Sequence, residues 1–228
     1  MYTPAAFQTH PALALAFAAA RGFGLVVSCE GGRPTASPVP FLLTEAHGKT
    51  PCVAFHLARA NPLAALAEKR GVWLLAVQGA DAYVSAGWYA SGDQVPTWLY
   101  ETVHLSGPVR VVPAVQAREH LDALTARFEN GLGAGQGWTT GRLEPARLEQ
   151  LIRAIVVIEM MVESVEGKFK LNQHKADADH VAIADALARQ EDPGAHTVAE
   201  RMVALRPHLM YQNAAGGPAA APAKDGAF

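Results

Sequence analysis

Two cysteines stand in 228 residues, and neither belongs to a CxxC pair. That excludes a disulfide-stapled scaffold and a cysteine-built zinc site. Cys29 and Cys52 lie in apolar, strand-like runs and read as two buried free thiols in a reducing cytoplasm. No run approaches 18 uninterrupted apolar residues, and "MYTPAAF" puts no basic segment ahead of an apolar core. The reading is therefore neither a membrane span nor a secretion signal. Charge of one sign is also scarce: the net charge is −2 and the pI about 6.5, against the basic surplus of a nucleic-acid-gripping protein. There is no GxGxxG opening a helix after a strand, no P-loop, no HExxH, no GxSxG, and the nine histidines lack metal spacing.

What remains is a globular composition, 50% apolar and 18% charged. Thr3 before Pro4 predicts an N-cap and a short helix through "PAAFQTH", and "PALALAFAAARG" a second helix stopped by Gly22. The period then switches to two. "FGLVVSCEGGRPTASPVPFLLTEA" predicts two strands around Gly31–Gly32, and "PCVAFHLA" a third. "ANPLAALAEKRG" predicts a helix capped by Asn61, started by Pro62 and finished by Lys69 and Arg70. "VWLLAVQG" and "DAYVSAGWY" predict strands either side of a turn at Gly79, and "TVHLSGPVRVVP" a strand broken at Gly107–Pro108. "AVQAREHLDALTARFEN" predicts a helix facing inward through Val115, Leu121, Leu124 and Phe128, followed by a glycine-rich mobile connector. "EPARLEQLIRAI" predicts a helix and "VVIEMMVESVEG" a final strand with Glu159 and Glu163 outward. "HKADADHVAIADALARQ" and "AHTVAERMVALRP" predict two closing helices before a low-complexity tail.

The expected fold class is mixed α+β: a mostly antiparallel split β-barrel with peripheral helices and a helical C-terminal extension. The expected division is a barrel domain over 1–175, a helical extension over 176–210 and a tail over 211–228.

Three stretches carry candidate chemistry. In "FHLARANP", His56, Arg59 and Asn61 sit where a strand gives way to a capped helix, a setting suited to an anion; a solvated arginine beside an ordinary cap is the alternative. In "EGKFKLNQHK", Lys168 and Lys170 alternate with Phe169 and Leu171, making either a cationic face or a solvated strand edge. In "VPTWLYETVHLSG", Trp98 and Tyr100 are two apart and share one face of a strand, with Tyr83, Trp88 and Tyr89 just upstream. Aromatics on a polar, glycine-containing rim suit a flat ligand or an interface. A flat ring with a phosphate tail would satisfy shelf and cations together. No side chain stands out as an acid, base or nucleophile, and no catalytic or metal-binding residue is assigned.

"MYTPAAF", "HLARANP", "DAYVSAGWY", "VPTWLYETVHLSGPVRV" and "EGKFKLNQHK", in that order, resemble the PaiB family of FMN-binding split-barrel proteins, which are named as negative transcriptional regulators and are similar to pyridoxamine-phosphate oxidases. The resemblance runs from Met1 to about Arg189 and implies FMN as cofactor, held at the interface of a homodimer. It implies phosphate contacts from the His56–Leu57–Ala58–Arg59 run with Asn61 nearby, and ring contacts from the strand holding Ser37, Val39 and Pro40. It implies that Trp98 and Tyr100 approach the flavin, from the partner subunit in one arrangement, and that Lys168, Lys170 and Gln173 close the site. Departures are Leu99 where the family has asparagine, Ala86 and Gly87 in place of "PS", a short "ASGDQ" loop, and "KLNQH" for "KLSQN". The expected role is a flavin-linked regulatory or redox protein in the cytoplasm. Alternatives are an FMN-dependent oxidoreductase acting on a small substrate, and a haem-binding split barrel with His56, His104 or His174 as axial ligand. The absence of a helix-turn-helix signature argues against direct DNA binding.

Overall fold

The computed structural model describes residues 1–46, 50–132 and 137–214. Most of the glycine-rich connector and of the low-complexity tail lies outside the described residues. The chain weaves through two compact units. The first gathers Met1, 10–77 and 103–166, and the second gathers 2–9, 78–102 and the residues from 167 onward. Eight strands hydrogen-bond in the order β1-β8-β6-β5-β2-β3-β4-β7, with a further pairing of β6 to β7, and each paired register described is antiparallel.

In the first unit the additional pairing closes a ring, β6-β5-β2-β3-β4-β7 and back to β6, which gives the end strand β7 a second partner in β6. β2 (Phe23–Glu30) and β3 (Arg33–Ala46) form a hairpin on Gly31 and Gly32, whose φ of 57° and 77° match the left-handed pair that a two-residue hairpin turn needs. β3 changes partner midway. Arg33–Pro40 pairs with β2, whereas Phe41–Ala46 pairs with β4 (Thr50–Ala58), so the first half keeps one edge that no described strand covers. Three prolines, Pro34, Pro38 and Pro40, are tolerated there because an open edge does not call on their missing N–H groups. β4 pairs with β7 (Ile155–Met161) from Cys52↔Met161 to Ala58↔Ile155. The inward residues form the core: Val26, Phe41, Val53, Phe55, Trp73, Leu75, Leu105, Ile158 and Met160 are all buried. Each large apolar side chain so buried contributes about 1.5–3 kcal/mol. α1 (Pro11–Arg21), α2 (Pro62–Ala67), α3 (Ala117–Glu129) and α4 (Pro145–Arg153) belong to this unit.

In the second unit, β1 (Gln8–Thr9) pairs with β8 (Ser164–Lys170) through Gln8↔Lys168. α5 (Asp177–Leu187) and α6 (Pro193–Leu205) bury Ile183, Leu187, Val198 and Met202 against Val84, Leu99 and Leu171. Buried Glu101 is gripped by the forked guanidinium of Arg201, with Nε to Oε1 at 3.0 Å and Nη2 to Oε1 at 2.9 Å. Asp185 accepts the backbone N–H groups of Gln212, Asn213 and Ala214, which fixes the chain leaving α6.

Several sequence expectations are corrected. "PAAFQTH" is a 3-10 turn, Ala5–Phe7, followed by β1, because pairing with β8 takes its last backbone groups. β5 (Val72–Val84) runs unbroken through Gly79, and β6 (Thr97–Val111) unbroken through Gly107–Pro108. Gly107 is required by close approach rather than by a break: a Cβ there would lie 1.7 Å from the Met161 carbonyl oxygen. The supposed final strand is two, β7 and β8, because the N–H groups of Val162 and Glu163 turn aside to the carbonyls of Pro51 and Ser106. α2 ends at Ala67, before Lys69, and Arg70 takes φ 53°. On α3 the buried face is Ala117, His120 and Leu124, while Phe128 is exposed, and Val115 is exposed in the 3-10 turn that precedes the helix. Cys52 is buried, but Cys29, on the outer face of β2, is exposed. Glu159 is half-buried beside Arg110.

Candidate functional site

The predicted site residues fall into two groups, one in each unit. In the first unit they meet where β4 hands over to α2. Asn61 caps α2 by accepting the Leu63 N–H at 3.0 Å, and its Nδ2 donates to Ser37 Oγ at 3.2 Å. That second bond ties the corner to the half-open strand carrying Ser37, Val39 and Pro40. The Val39 and Leu57 side chains are buried in the barrel, so neither offers a side chain to a ligand. Arg59 is exposed yet held: Nε donates to the Arg153 carbonyl at 2.9 Å and Nη2 to that of Ile155 at 2.8 Å. Nη1 makes no hydrogen bond among the described residues. α2 has six residues, too short for its N-terminus to act as an anion site, so the positive charge at this corner rests on Arg59. His56, half-buried on β4, faces His120 of α3, with Nδ1 to Nε2 at 3.1 Å and the rings edge to face. Burial pushes His56 below its usual value. Burial, and then His56 itself, hold His120 down at about 4.

In the second unit, Trp98 is 52% exposed and stands edge-on to Tyr83, itself 48% exposed, with ring centroids 6.0 Å apart. Lys168 donates to the Tyr2 carbonyl at 3.4 Å, and its ammonium lies 5.4 Å from the centre of the Tyr100 ring. Lys170 donates to Thr97 Oγ1, and burial lowers its pKa, with Lys168 acting in the same direction and Tyr100 opposing. The Gln173 amide is spent within its own turn, donating to the Phe169 carbonyl and accepting the Leu171 N–H. This surface offers cations beside exposed aromatic faces, the chemistry that suits a flat anionic ligand. A separate groove of about 600 Å³, lined by Trp88, Asp177, Val181 and Arg189, contains none of the predicted residues.

Of the remaining histidines singled out, His104 is half-buried and lowered by burial and by the N-terminal amine, against the opposing Glu166 carboxylate. His174 stands edge-on to Phe7 at 5.1 Å. Among the described residues no three His, Cys, Asp or Glu side chains gather as a metal site, and no helix is long and apolar enough to cross a membrane. Sequence reading missed His120. Its signal was present: Ala117, His120 and Leu124 recur at helical spacing, which puts a histidine on the buried stripe.

The fit to FMN follows from these groups. A pinned guanidinium suits a phosphate dianion, and a proline-bordered open strand offers backbone acceptors without competing donors. Residues 1–164 match the family described as "Putative FMN-binding domain". The protease synthase and sporulation protein PAI 2 of Bacillus subtilis is 30% identical over 203 residues, covering 89% of this chain and 96% of that protein. The flavocytochrome Anf3 of Azotobacter vinelandii shares the fold at a TM-score of 0.55 and 16% identity, over 97% of this chain and 88% of that one. A conserved hypothetical protein of Mycobacterium tuberculosis shares it at 0.50 and 9%, over 74% and 90%. A barrel closed by β6 on β7, a polar corner built around Arg59 and a family match over most of the length lead to one assignment: the chain belongs to the FMN-binding split-barrel family of PaiB type, and its cofactor is FMN.

Proposed function

We propose that this chain is a homodimeric, flavin-linked regulatory or redox protein of the cytoplasm, and that the β4–α2 corner of its first unit receives the FMN phosphate. The observation that carries the reading is the state of Arg59. Two carbonyls hold its Nε and Nη2, so the guanidinium is fixed before any ligand arrives and little entropy is lost on binding. Asn61, two residues on, holds the Ser37 hydroxyl, and the edge of β3 over Ser37–Pro40 is assigned to the isoalloxazine. When bound, FMN supplies the redox chemistry, and the protein supplies position and electrostatics.

The test is titration of FMN and of riboflavin, followed by quenching of flavin fluorescence. A charge-assisted bond contributes about 1.5–3 kcal/mol, so Arg59→Ala weakens FMN binding roughly 10- to 100-fold. Riboflavin, which lacks the phosphate, binds the variant and the parent alike. Equal FMN affinity in both proteins overturns the placement of the phosphate. Bleaching of the bound flavin by NADH or NADPH with turnover assigns a redox role, and its absence overturns a nicotinamide-dependent one.

Support for the dimer comes from the outer face of the first unit. Phe23, Leu25 and Val27 of β2 pair with Pro40, Pro38 and Ala36 of β3, and Leu25 and Val27 with Ala76 and Leu74 of β5. Paired residues share a face, so these side chains form one outward apolar surface, continued by Val72, which is 68% exposed. A second copy of the chain is the occupant proposed for it. Trp98, Tyr100, Lys168 and Lys170, exposed or half-buried in one chain, are assigned to the flavin held by the partner chain.

A further inference from the structure

We propose that His120, which lies outside the family motifs, is a positioning residue for the cofactor. By sharing one proton with His56, it keeps His56 Nδ1 an acceptor and thereby makes His56 Nε2–H a donor to the FMN phosphate. The inference rests on the proposed placement of the phosphate at the β4–α2 corner.

The argument begins with proton counting. His56 Nδ1 and His120 Nε2 are 3.1 Å apart, a hydrogen-bond distance, and one proton occupies that line. Both rings are neutral near pH 7, because burial disfavours the charged form of each. A neutral imidazole carries one N–H and one lone pair. Two arrangements follow. If His56 Nδ1 holds the proton, its Nε2 is a bare lone pair and repels an anion. If His120 Nε2 holds it, His56 Nδ1 accepts and His56 Nε2 carries the N–H.

His56 Nε2 makes no hydrogen bond among the described residues, which leaves it available to a ligand. A phosphate oxygen accepts and cannot donate when fully ionised, so only the second arrangement binds it. His120 holds its place through the packing of α3. Ala117, one turn before it, lies with Val112 and Val157 in a buried cluster, and Val157 is the residue that β7 sets opposite His56. The helix thus presents His120 to one ring nitrogen of His56. A ligand-binding histidine with its second nitrogen fixed by a buried partner keeps one tautomer and one ring orientation.

The experiment combines imidazole nitrogen NMR with flavin titration. In the parent protein, long-range proton–nitrogen spectra are expected to show His56 protonated at Nε2. The Nδ1–H tautomer overturns the proposal with no variant made. His120→Phe keeps an aromatic ring but removes the donor, and is expected to mix the His56 tautomers and reduce the preference for FMN over riboflavin about three- to tenfold. His120→Gln, which retains an N–H donor, is expected to restore both. A His120→Phe protein with an unchanged nitrogen spectrum, or with a changed spectrum and an unaltered FMN-to-riboflavin ratio, overturns the positioning role. Arg59→Ala separates this failure from that of the phosphate placement. If Arg59→Ala still weakens FMN selectively while His120→Phe does not, the corner binds phosphate and His120 is a packing residue.

Discussion

His120 links local burial to acid stability. In the unfolded chain an imidazole titrates at 6.5, whereas burial and the neighbouring His56 hold His120 down at about 4. Between those values the unfolded chain binds more protons than the folded one. The stabilisation from a neutral His120 is therefore complete above about pH 6.5 and is lost as the pH falls toward 4. Thermal melts across that window are expected to show stability falling with acid, with a shallower slope in His120→Phe. An unchanged slope would mean that other groups set it. Gly107 makes a different demand. Its missing Cβ leaves room for the Met161 carbonyl, and Gly107→Ala would force backbone, not a flexible side chain, to move. A loss of at least about 1–3 kcal/mol is expected, seen as a melting temperature lower by several degrees. A variant that melts with the parent would show that the two strands separate at no cost.

At the scale of elements, punctuation was legible and long pairings were not. Gly31–Gly32, Asn61–Pro62 and the proline that opens α1 mark their turn and caps through local chemistry, and each stands where expected. Gly79 and Gly107 misled because a lone glycine in a strand reads locally as an interruption. Their neighbours' backbone groups are instead claimed by strands far away in sequence, and that ladder carries the chain through. The same reason explains β1, a two-residue strand that exists through its pairing with β8. The polar corner was half legible. "HLARANP" named Arg59 and Asn61, but their partners, the carbonyls of Arg153 and Ile155 and the Ser37 hydroxyl, come from segments that only the fold brings near. Asn61→Ala is expected to cost about 0.5–2 kcal/mol through the lost cap. It should also weaken FMN binding, because the link to β3 goes with it; denaturant titration and the FMN assay together read both. Loss of stability with unchanged FMN affinity would confine Asn61 to capping.

For the whole molecule, the balanced composition led to a globular protein, and the family resemblance to a split barrel with FMN, which the fold and the family match establish. The outward apolar surface on β2, β3 and β5 could not be read from the sequence as a surface. Alternation marks one face of a strand as polar and the other as apolar, and here both are apolar. If a second copy covers that face, Leu25→Glu is expected to shift the protein from dimer to monomer in light scattering, with its circular dichroism unchanged. A parent protein already monomeric at assay concentration would overturn the dimer.

The weaving of the chain between its units has a consequence for dissection. Residues 1–164 carry the family match, yet Ala82, Val84 and Leu99, all within that stretch, are buried by Leu171 and by side chains of α5 and α6. A protein cut after Ser164 would keep those strands and lose what shields them. Such a fragment is expected to clump on synthesis, so the shortest soluble version of this flavoprotein extends through α6 and the Asp185 clasp beyond it.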